Sequence, residues 1–539
     1  MQMTGDKNPT ERTAVVGVSV PDAPLSTKII RSVLSGGLRY FLVAPIPFVM
    51  TPLILKKIGV GGYGTWAVFL AINALTSLAD LGLVGTLSKF IADYHARRDF
   101  VALGKALNSG LSLFFLLAIA INVALAAAAV PLSSWFFHGS TVAQAEIVRL
   151  FRLFLIVIGT NIINLLLSSV TTGLQRLDLT NMISAGNVFL SALFSALLLL
   201  NGWGLRGLVY GYIASGVLTV IAYVITIRRL LPQVAINPVE FDRAEARKLF
   251  SFSSRFYVTQ AAVAVHTQIE KVFLAALVGV AAVGWYDIAS DVSLKVRGAI
   301  GFVLSPVLPA ASELNALGDE RRMKELYYRT HKYLALIGVP AVCLMAAAAS
   351  RFVQLWIGNG LSMVAFPLSV LVVINFLNLT TGPGFLIFAG RGYLKPGVNS
   401  AILGVLVNVP LSLGLIYRFG FSGAVLGTSV SLFVASAYFI YVFHRETRYS
   451  FVRLIGESYI KPISISVITL LGLLAIRPIT GLSWFGLAEL TMAFGISYSV
   501  LILLSRFFDE YDWRKFEQFL PLTRRVRRLC VWGEASAAD

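Results

Sequence analysis

Residues 106–131 read ALNSGLSLFFLLAIAINVALAAAAVP, twenty-six positions without a charged side chain. As a helix this run is about 39 Å long at about 1.5 Å per residue, more than the roughly 30 Å hydrocarbon core of a bilayer. Thirteen further apolar runs of similar length lie on either side of it, near 30–55, 64–87, 149–171, 182–201, 206–227, 254–278, 284–308, 333–350, 363–388, 398–417, 423–442, 462–479 and 484–505. The connections between them are short, the longest being 228–253 and 309–332. The sequence therefore predicts an all-α polytopic membrane protein of about fourteen transmembrane helices. Composition agrees: 57% of the 539 residues are hydrophobic and 13% charged, against about 25% charged in a soluble domain. Several soluble domains, a disordered chain and a disulfide scaffold (two cysteines, Cys343 and Cys530) are excluded.

The net charge of +18 would suggest nucleic acid in a soluble protein. Here its distribution gives the better reading, and no nucleic-acid partner is expected. With the N-terminus inside, 33 of the 45 Lys and Arg residues fall in inside segments and seven in outside loops, the bias expected of cytoplasmic loops. Both termini are expected in the cytoplasm and the chain in the bacterial inner (plasma) membrane. Residues 1–27 are polar and do not read as a cleavable signal, so helix 1 is expected to be retained.

The chain also repeats itself. Gly64-Thr65-Trp66-Ala67-Val68 opens helix 2 and Gly284-Trp285-Tyr286-Asp287-Ile288 opens helix 8, at an offset of 220. His95–Asp99 precedes helix 3 as Asp319–Met323 precedes helix 9, at 224. Gly204-Leu205-Arg206-Gly207 and Gly211 match Gly420-Phe421-Ser422-Gly423 and Gly427, at 216. Helices 1–6 and 7–12 thus read as two six-helix lobes of like orientation, related by a pseudo-two-fold axis along the membrane normal. Helices 13 and 14 are extra. The expected division is a cytoplasmic tail 1–28, an N-lobe 29–230, a linker 231–250, a C-lobe 251–445, the added pair 459–505 and a basic tail 506–539.

Several of these stretches carry a family resemblance. Gly61-Gly62-Tyr63-Gly64-Thr65-Trp66, then Leu78-Ala79-Asp80-Leu81-Gly82-Leu83, and Thr172-Gly173-Leu174-Gln175-Arg176 with Asn181 resemble the polysaccharide and oligosaccharide-lipid flippases. Their superfamily includes multidrug extruders and peptidoglycan lipid flippases. The resemblance covers residues 28–445 and implies that Gly64, Asp80, Gly82, Gly173 and Arg176 are structural motif positions. It also implies transfer of an undecaprenyl-diphosphate-linked oligosaccharide to the periplasmic leaflet by alternating access, for O-antigen, capsule or exopolysaccharide, with polymerase or export proteins as partners. Fourteen helices match the peptidoglycan lipid flippases instead, and a cation antiporter is the other alternative.

Charge inside a span costs at least about 2.5 kcal/mol, so such residues face a partner or a wet cavity. Asp287, Asp291 and Lys295 form an i, i+4, i+8 stripe on helix 8, with Arg297 beside them. Helix 7 adds His266, Glu270 and Lys271, and helix 1 adds Arg39 near mid-depth. Arg39, Lys295 and Arg297, with Lys271, are the candidate diphosphate-binding cations, because guanidinium and ammonium groups suit phosphate oxygens. Asp287, Asp291, Glu270 and His266 are candidates for ion coupling or for ion pairs in the cavity. A plain ion pair between Asp291 and Lys295 that eases insertion is the competing reading. Pro45, Pro47 and Pro52 are expected to bend helix 1. The tail from Arg506, with its interleaved basic and aromatic residues, is expected to lie on the anionic inner leaflet. No HExxH, Walker A, GxSxG or CxxC motif occurs. No enzyme activity, cofactor or metal is expected.

Overall fold

The computed structural model describes residues 42–519 except 77, 79–81, 138–139, 141, 238–239 and 476–481. Arg39 and Asp80 lie outside the described residues. All regular structure among those described is helical. Helices α1 (Pro45–Thr76), α2 (Leu83–Ala96), α3 (Phe100–Phe136), α4 (Gln144–Gly173), α5 (Leu177–Leu200) and α6 (Gly204–Leu230) form the first half. The second comprises α7 (Arg243–Leu277), α8 (Val280–Gly301), α9 (Val307–Leu317), α10 (Glu320–Ile357), α11 (Ala365–Leu379), α12 (Gly382–Gly390), α13 (Lys395–Phe419) and α14 (Phe421–Thr447). Then follow α15 (Ile460–Ala475), α16 (Trp484–Leu504) and α17 (Glu510–Phe519).

Twelve described stretches are long and apolar enough to cross a membrane, against the fourteen expected. Two physical features account for the difference. α1 is two helices run together at Gly59, whose φ of 68° and ψ of 179° suit a residue without a Cβ. α7 is 35 residues long but, with Gln260, His266, Gln268, Glu270 and Lys271 among its apolar residues, too polar to count as a span. The bend in the first helices is at Gly59, while Pro52 sits inside the helix. The expected helix at 64–87 is also interrupted, since α1 stops at Thr76 and α2 starts after Gly82.

The repeat is legible in the backbone itself. Gly59 and Gly279, 220 residues apart, both have positive φ with ψ near 180°. Asp99 caps α3 and Asp319 caps α10, with φ/ψ of −87°/79° and −86°/80°. Each accepts a 2.9 Å hydrogen bond from the backbone N–H three residues on. The caps therefore match at 220, and the 224 read from the Arg-Arg pairs is corrected by four residues. Gly204 and Gly420 have φ of 55° and 56°. Gly211 is pressed against Ser195 and Gly427 against Ser412, at 2.5 and 2.2 Å from the position a Cβ would take to the serine Oγ. These glycines let α5 pack on α6, and α13 on α14, at backbone distance. The interruption after helix 2 recurs as well: α8 ends at Gly301, and α9 begins after Pro306.

Candidate functional site

α8 is the centre of the charged region, and its helical period sorts its side chains onto two faces. Asp287, Asp291 and Lys295 point toward the first half. Lys271 of α7 reaches Asp287 at 2.6 Å, and Tyr63 of α1 donates a 2.9 Å hydrogen bond to the same carboxylate. Both charged side chains are largely withdrawn from solvent, at 13% and 16% exposure. Lys271 thus has a carboxylate partner rather than extending to the membrane surface. One turn along, Lys295 pairs with Asp291. The ion pair of the simpler reading exists, and it lies on the face of α8 that meets the other lobe.

Arg297 is two residues beyond Lys295, about 200° around the helix, and does not join it. Its Nη2 donates to Asn378 Oδ1 of α11 at 3.0 Å, inside the second half. Its Nε has no hydrogen-bond partner among the described residues. Arg297 and His266 line a cavity of about 290 Å³, with Asn375, Asn378, Ser400 and Thr428 supplying polar walls. Both ring nitrogens of His266 are buried without a partner among the described residues. The expected grouping of Lys295 with Arg297 is therefore corrected: one faces the lobe interface, and the other faces the interior of the C-terminal half.

Glu270 is adjacent to Lys271 in sequence yet faces the opposite way. It is completely buried. Its Oε1 accepts from Asn408 Nδ2 at 2.6 Å and Thr428 Oγ1 at 2.8 Å. Tyr286 and Thr428 share a 2.8 Å hydroxyl contact, and Asn408 also donates to Ser431. The second carboxylate oxygen, Oε2, has no partner among the described residues. A buried carboxylate ringed by neutral oxygens and an amide is suited to a proton or a small monovalent cation. Asn408, Thr428 and Tyr63 were not singled out by sequence as site residues. For Asn408 the available signal was an amide in the middle of an otherwise apolar run.

Asn161 and Asn164, uncharged polar groups within spans, hydrogen-bond across helices, to Asn73 and to the Gly216 carbonyl. The motif glycines lie at close approaches or turns. A Cβ on Gly64 would fall 1.7 Å from the Val280 carbonyl oxygen of α8. One on Gly284 would fall 3.4 Å from Gly64. The repeat-related glycines therefore touch each other, where α1 crosses α8. Gly82 precedes α2 with φ of 77°, and a Cβ on Gly173 would meet the Ser88 carbonyl at 2.6 Å. Arg176 pairs with Asp178 at 3.1 Å.

The profile of a family described as polysaccharide biosynthesis protein matches residues 63–365, more than half of the chain. The chain belongs to that family. An uncharacterized membrane protein of Methanocaldococcus jannaschii is 23% identical over 271 residues, which are 49% of this chain and 52% of that one. The chain thus spans about half the length of the curated relative it matches. Among solved structures, the lipid II flippase MurJ in an inward closed conformation superposes with a TM-score of 0.71 at 13% identity, covering 88% of this chain and 98% of MurJ. An inward-facing multidrug resistance transporter of the MATE family gives 0.61 at 16% identity, covering 76% and 94%. A transporter of the same superfamily from Pyrococcus furiosus gives 0.55 at 16%, covering 80% and 100%. This polysaccharide biosynthesis family member is a helical membrane protein that shares the fold of these flippase and transporter structures.

Proposed function

We propose that the protein is a flippase that moves an undecaprenyl-diphosphate-linked oligosaccharide between leaflets by alternating access, for surface polysaccharide. The observation that carries this reading is an apolar groove of about 1380 Å³. It lies where α10, α11 and α14 meet α15 and the turn before it, and Val342, Phe376, Phe433, Ile440 and Ile463 line it. A groove of this size and character suits a polyprenyl chain, which a transporter of small cations does not need. The head group is assigned to the lobe interface at Lys271, Asp287, Asp291 and Lys295, whose ion pairs exchange partners with a diphosphate. Coupling is assigned to Glu270, whose bare Oε2 takes a proton or sodium ion. The protein is placed in the inner membrane with both termini cytoplasmic, which the charge distribution supports.

A second reading has an observation in its favour. The described mid-span residues Glu270, Lys271, Asp287, Asp291, Lys295 and Arg297 sum to no net charge, which is compatible with a cation antiporter. Deletion of the gene separates the two. Lipid-linked glycan accumulating on the cytoplasmic leaflet, with loss of surface polysaccharide, supports the flippase. Normal glycolipids with new sensitivity to cationic drugs overturn it. Glu270→Gln should leave protein levels unchanged and remove any dependence of transport on the proton or sodium gradient. A variant that keeps that dependence excludes Glu270 as the coupling group.

A further inference from the structure

A second polar cavity, of about 760 Å³, lies away from the lobe interface, at the end of α10 that the charge count assigns to the cytoplasm. Three segments far apart in sequence form it. α10 contributes Arg321, Lys324, Arg329 and Lys332; the turn before α15 contributes Arg453 and the first turn of α15 Lys461; Arg506 follows α16. These seven cations meet three lining carboxylates, Glu325, Glu457 and Asp509, and a fourth, Asp512, fully buried behind them.

The ion pairs divide the cations into two sets. Arg329 is held by Glu325 at 2.7 Å and by Asp509 and Asp512 at 3.2 Å. Lys332 is held by Asp512, and Arg453 by Glu457 at 2.8 Å. These contacts build the walls. Three of the other cations are not held in this way. Among the described residues, Arg321, Lys324 and Lys461 make no ion pair. Lys324 lies over the Tyr449 ring at 5.8 Å. Lys461 Nζ is fixed by the carbonyls of Ser505 and Arg506 at 2.8 and 3.1 Å.

The wall between this cavity and the apolar groove is two-sided. Residues 453–461 turn Arg453, Glu457 and Lys461 toward the cations. They turn Leu454, Ile455, Tyr459 and Ile460 toward the apolar groove. A π-helical turn at Ile455–Tyr459 sits at this boundary. Excess positive charge next to a hydrocarbon-lined surface matches a molecule with a phosphate at one end and an aliphatic chain at the other. We infer that the cavity is a binding site for the phosphate group of a membrane lipid. Lys324, Lys461 and Arg321 contact the phosphate, and the chain lies over the apolar side of the 453–461 turn. The phosphate site is separate from the one assigned to the transported head group, while its apolar side is shared with the groove assigned above to the polyprenyl chain.

The test uses the full-length protein in detergent, with thermal unfolding followed on titration with dioleoylphosphatidylglycerol, dioleoylphosphatidylcholine, undecaprenyl phosphate or inorganic pyrophosphate. The expected result is saturable stabilisation by phosphatidylglycerol or undecaprenyl phosphate, and none by phosphatidylcholine. Which of the two lipids acts at the lower concentration identifies the source of the phosphate. The variant Arg321→Gln/Lys324→Gln/Lys461→Gln should weaken that response by on the order of 100-fold, about fivefold per cation. Its lipid-free midpoint should be unchanged. The control Arg228→Gln/Arg229→Gln/Lys395→Gln removes three exposed cations elsewhere and should shift the response less than about threefold. If the triple variant does not fold, Lys324→Gln alone should give the fivefold loss. Equal losses in the site and control variants, or no loss in the site variant, overturn the inference. Protection by pyrophosphate equal to that by the lipids overturns the lipid assignment.

Discussion

The two halves of the molecule share a backbone and differ in chemistry. Their caps at Asp99 and Asp319 have matching dihedrals, and their turn glycines adopt positive φ at equivalent places. Yet 220 residues before Asp287, Asp291 and Lys295 stand Ala67, Ala71 and Leu75, and before Glu270 and Lys271 stand Met50 and Thr51. Among the described residues, mid-span charge belongs to the second half. The first half is packed instead around Trp66, Phe69, Phe151 and Phe154, whose ring centroids lie 5.2–6.5 Å apart in successive pairs. The contrast teaches that geometry is the shared property of the two halves, while the charged groups are specific to one. The first half contacts the charged face of α8 through Tyr63.

The largest expected break in that comparison comes from the ion pair, which has no counterpart in the first half. Lys271→Met or Asp287→Asn leaves one charge in a mostly dry site and should cost about 3–5 kcal/mol of stability. The double variant should recover at least half of that in thermal unfolding. A double variant as unstable as the sum of the singles removes the pair from the account. Next is the crossing of α1 and α8, where equivalent residues are unequally crowded. Gly64→Ala should cost about 1–3 kcal/mol, because its Cβ meets a backbone oxygen that cannot turn aside. Gly284→Ala, with its nearest contact at 3.3 Å, should cost less than half as much. Equal costs would mean that the crossing relaxes freely.

The caps should behave alike. Asp99→Ala and Asp319→Ala each remove one bond to an N-terminal N–H and should each cost about 1 kcal/mol. A difference of more than twofold between them would show that the halves are less equivalent than their dihedrals. The smallest effect concerns α17, which has no partner in the first half. Burial raises Asp509, but the Asp512 backbone N–H together with Lys332 and Arg329 outweighs it and holds the carboxyl below its usual range. A lowered carboxyl contributes stability above its ordinary value of about 4, and that contribution is lost as pH falls through the lowered one. The protection of the amides of residues 510–514, measured relative to their intrinsic exchange rates, should therefore be high at neutral pH and lower in acid. Asp509→Asn should be less protected already at neutral pH.

The long helices were legible because an uncharged run of twenty residues has one economical solution in a bilayer, and the repeat was legible in its glycines. Helix interruptions were less so. The run through 302–306 is as apolar as the helices it divides, so only Pro306 marked that break, while at 78–82 the signals were Asp80 and Gly82 within an otherwise apolar stretch. At the site, the i, i+4 spacing predicted the stripe of Asp287, Asp291 and Lys295, and α8 carries it. It could not say which way Arg297 and Glu270 point, since that depends on Asn378, Asn408 and Thr428, 81 to 158 residues further along the chain. The basic tail illustrates the same limit. Its composition suggested a segment lying on lipid and gave no sign that Asp512 docks α17 against α10 through Arg329, Lys332 and Tyr333. Arg524, Arg525, Arg527 and Arg528 lie outside the described residues.

The contact between Gly64 and Gly284 is of the kind found in symmetric dimers, where a residue on the axis meets its own copy. A single chain that keeps such a contact behaves like a dimer whose subunits were joined end to end, with α6, residues 231–242 and α7 as the tether. In such an arrangement any side chain added on the axis is added twice, once from each side. Glycine is the residue that escapes this doubling. Divergence of the two halves, with charge gathered in one of them, would then have been free to proceed everywhere except at this point of self-contact.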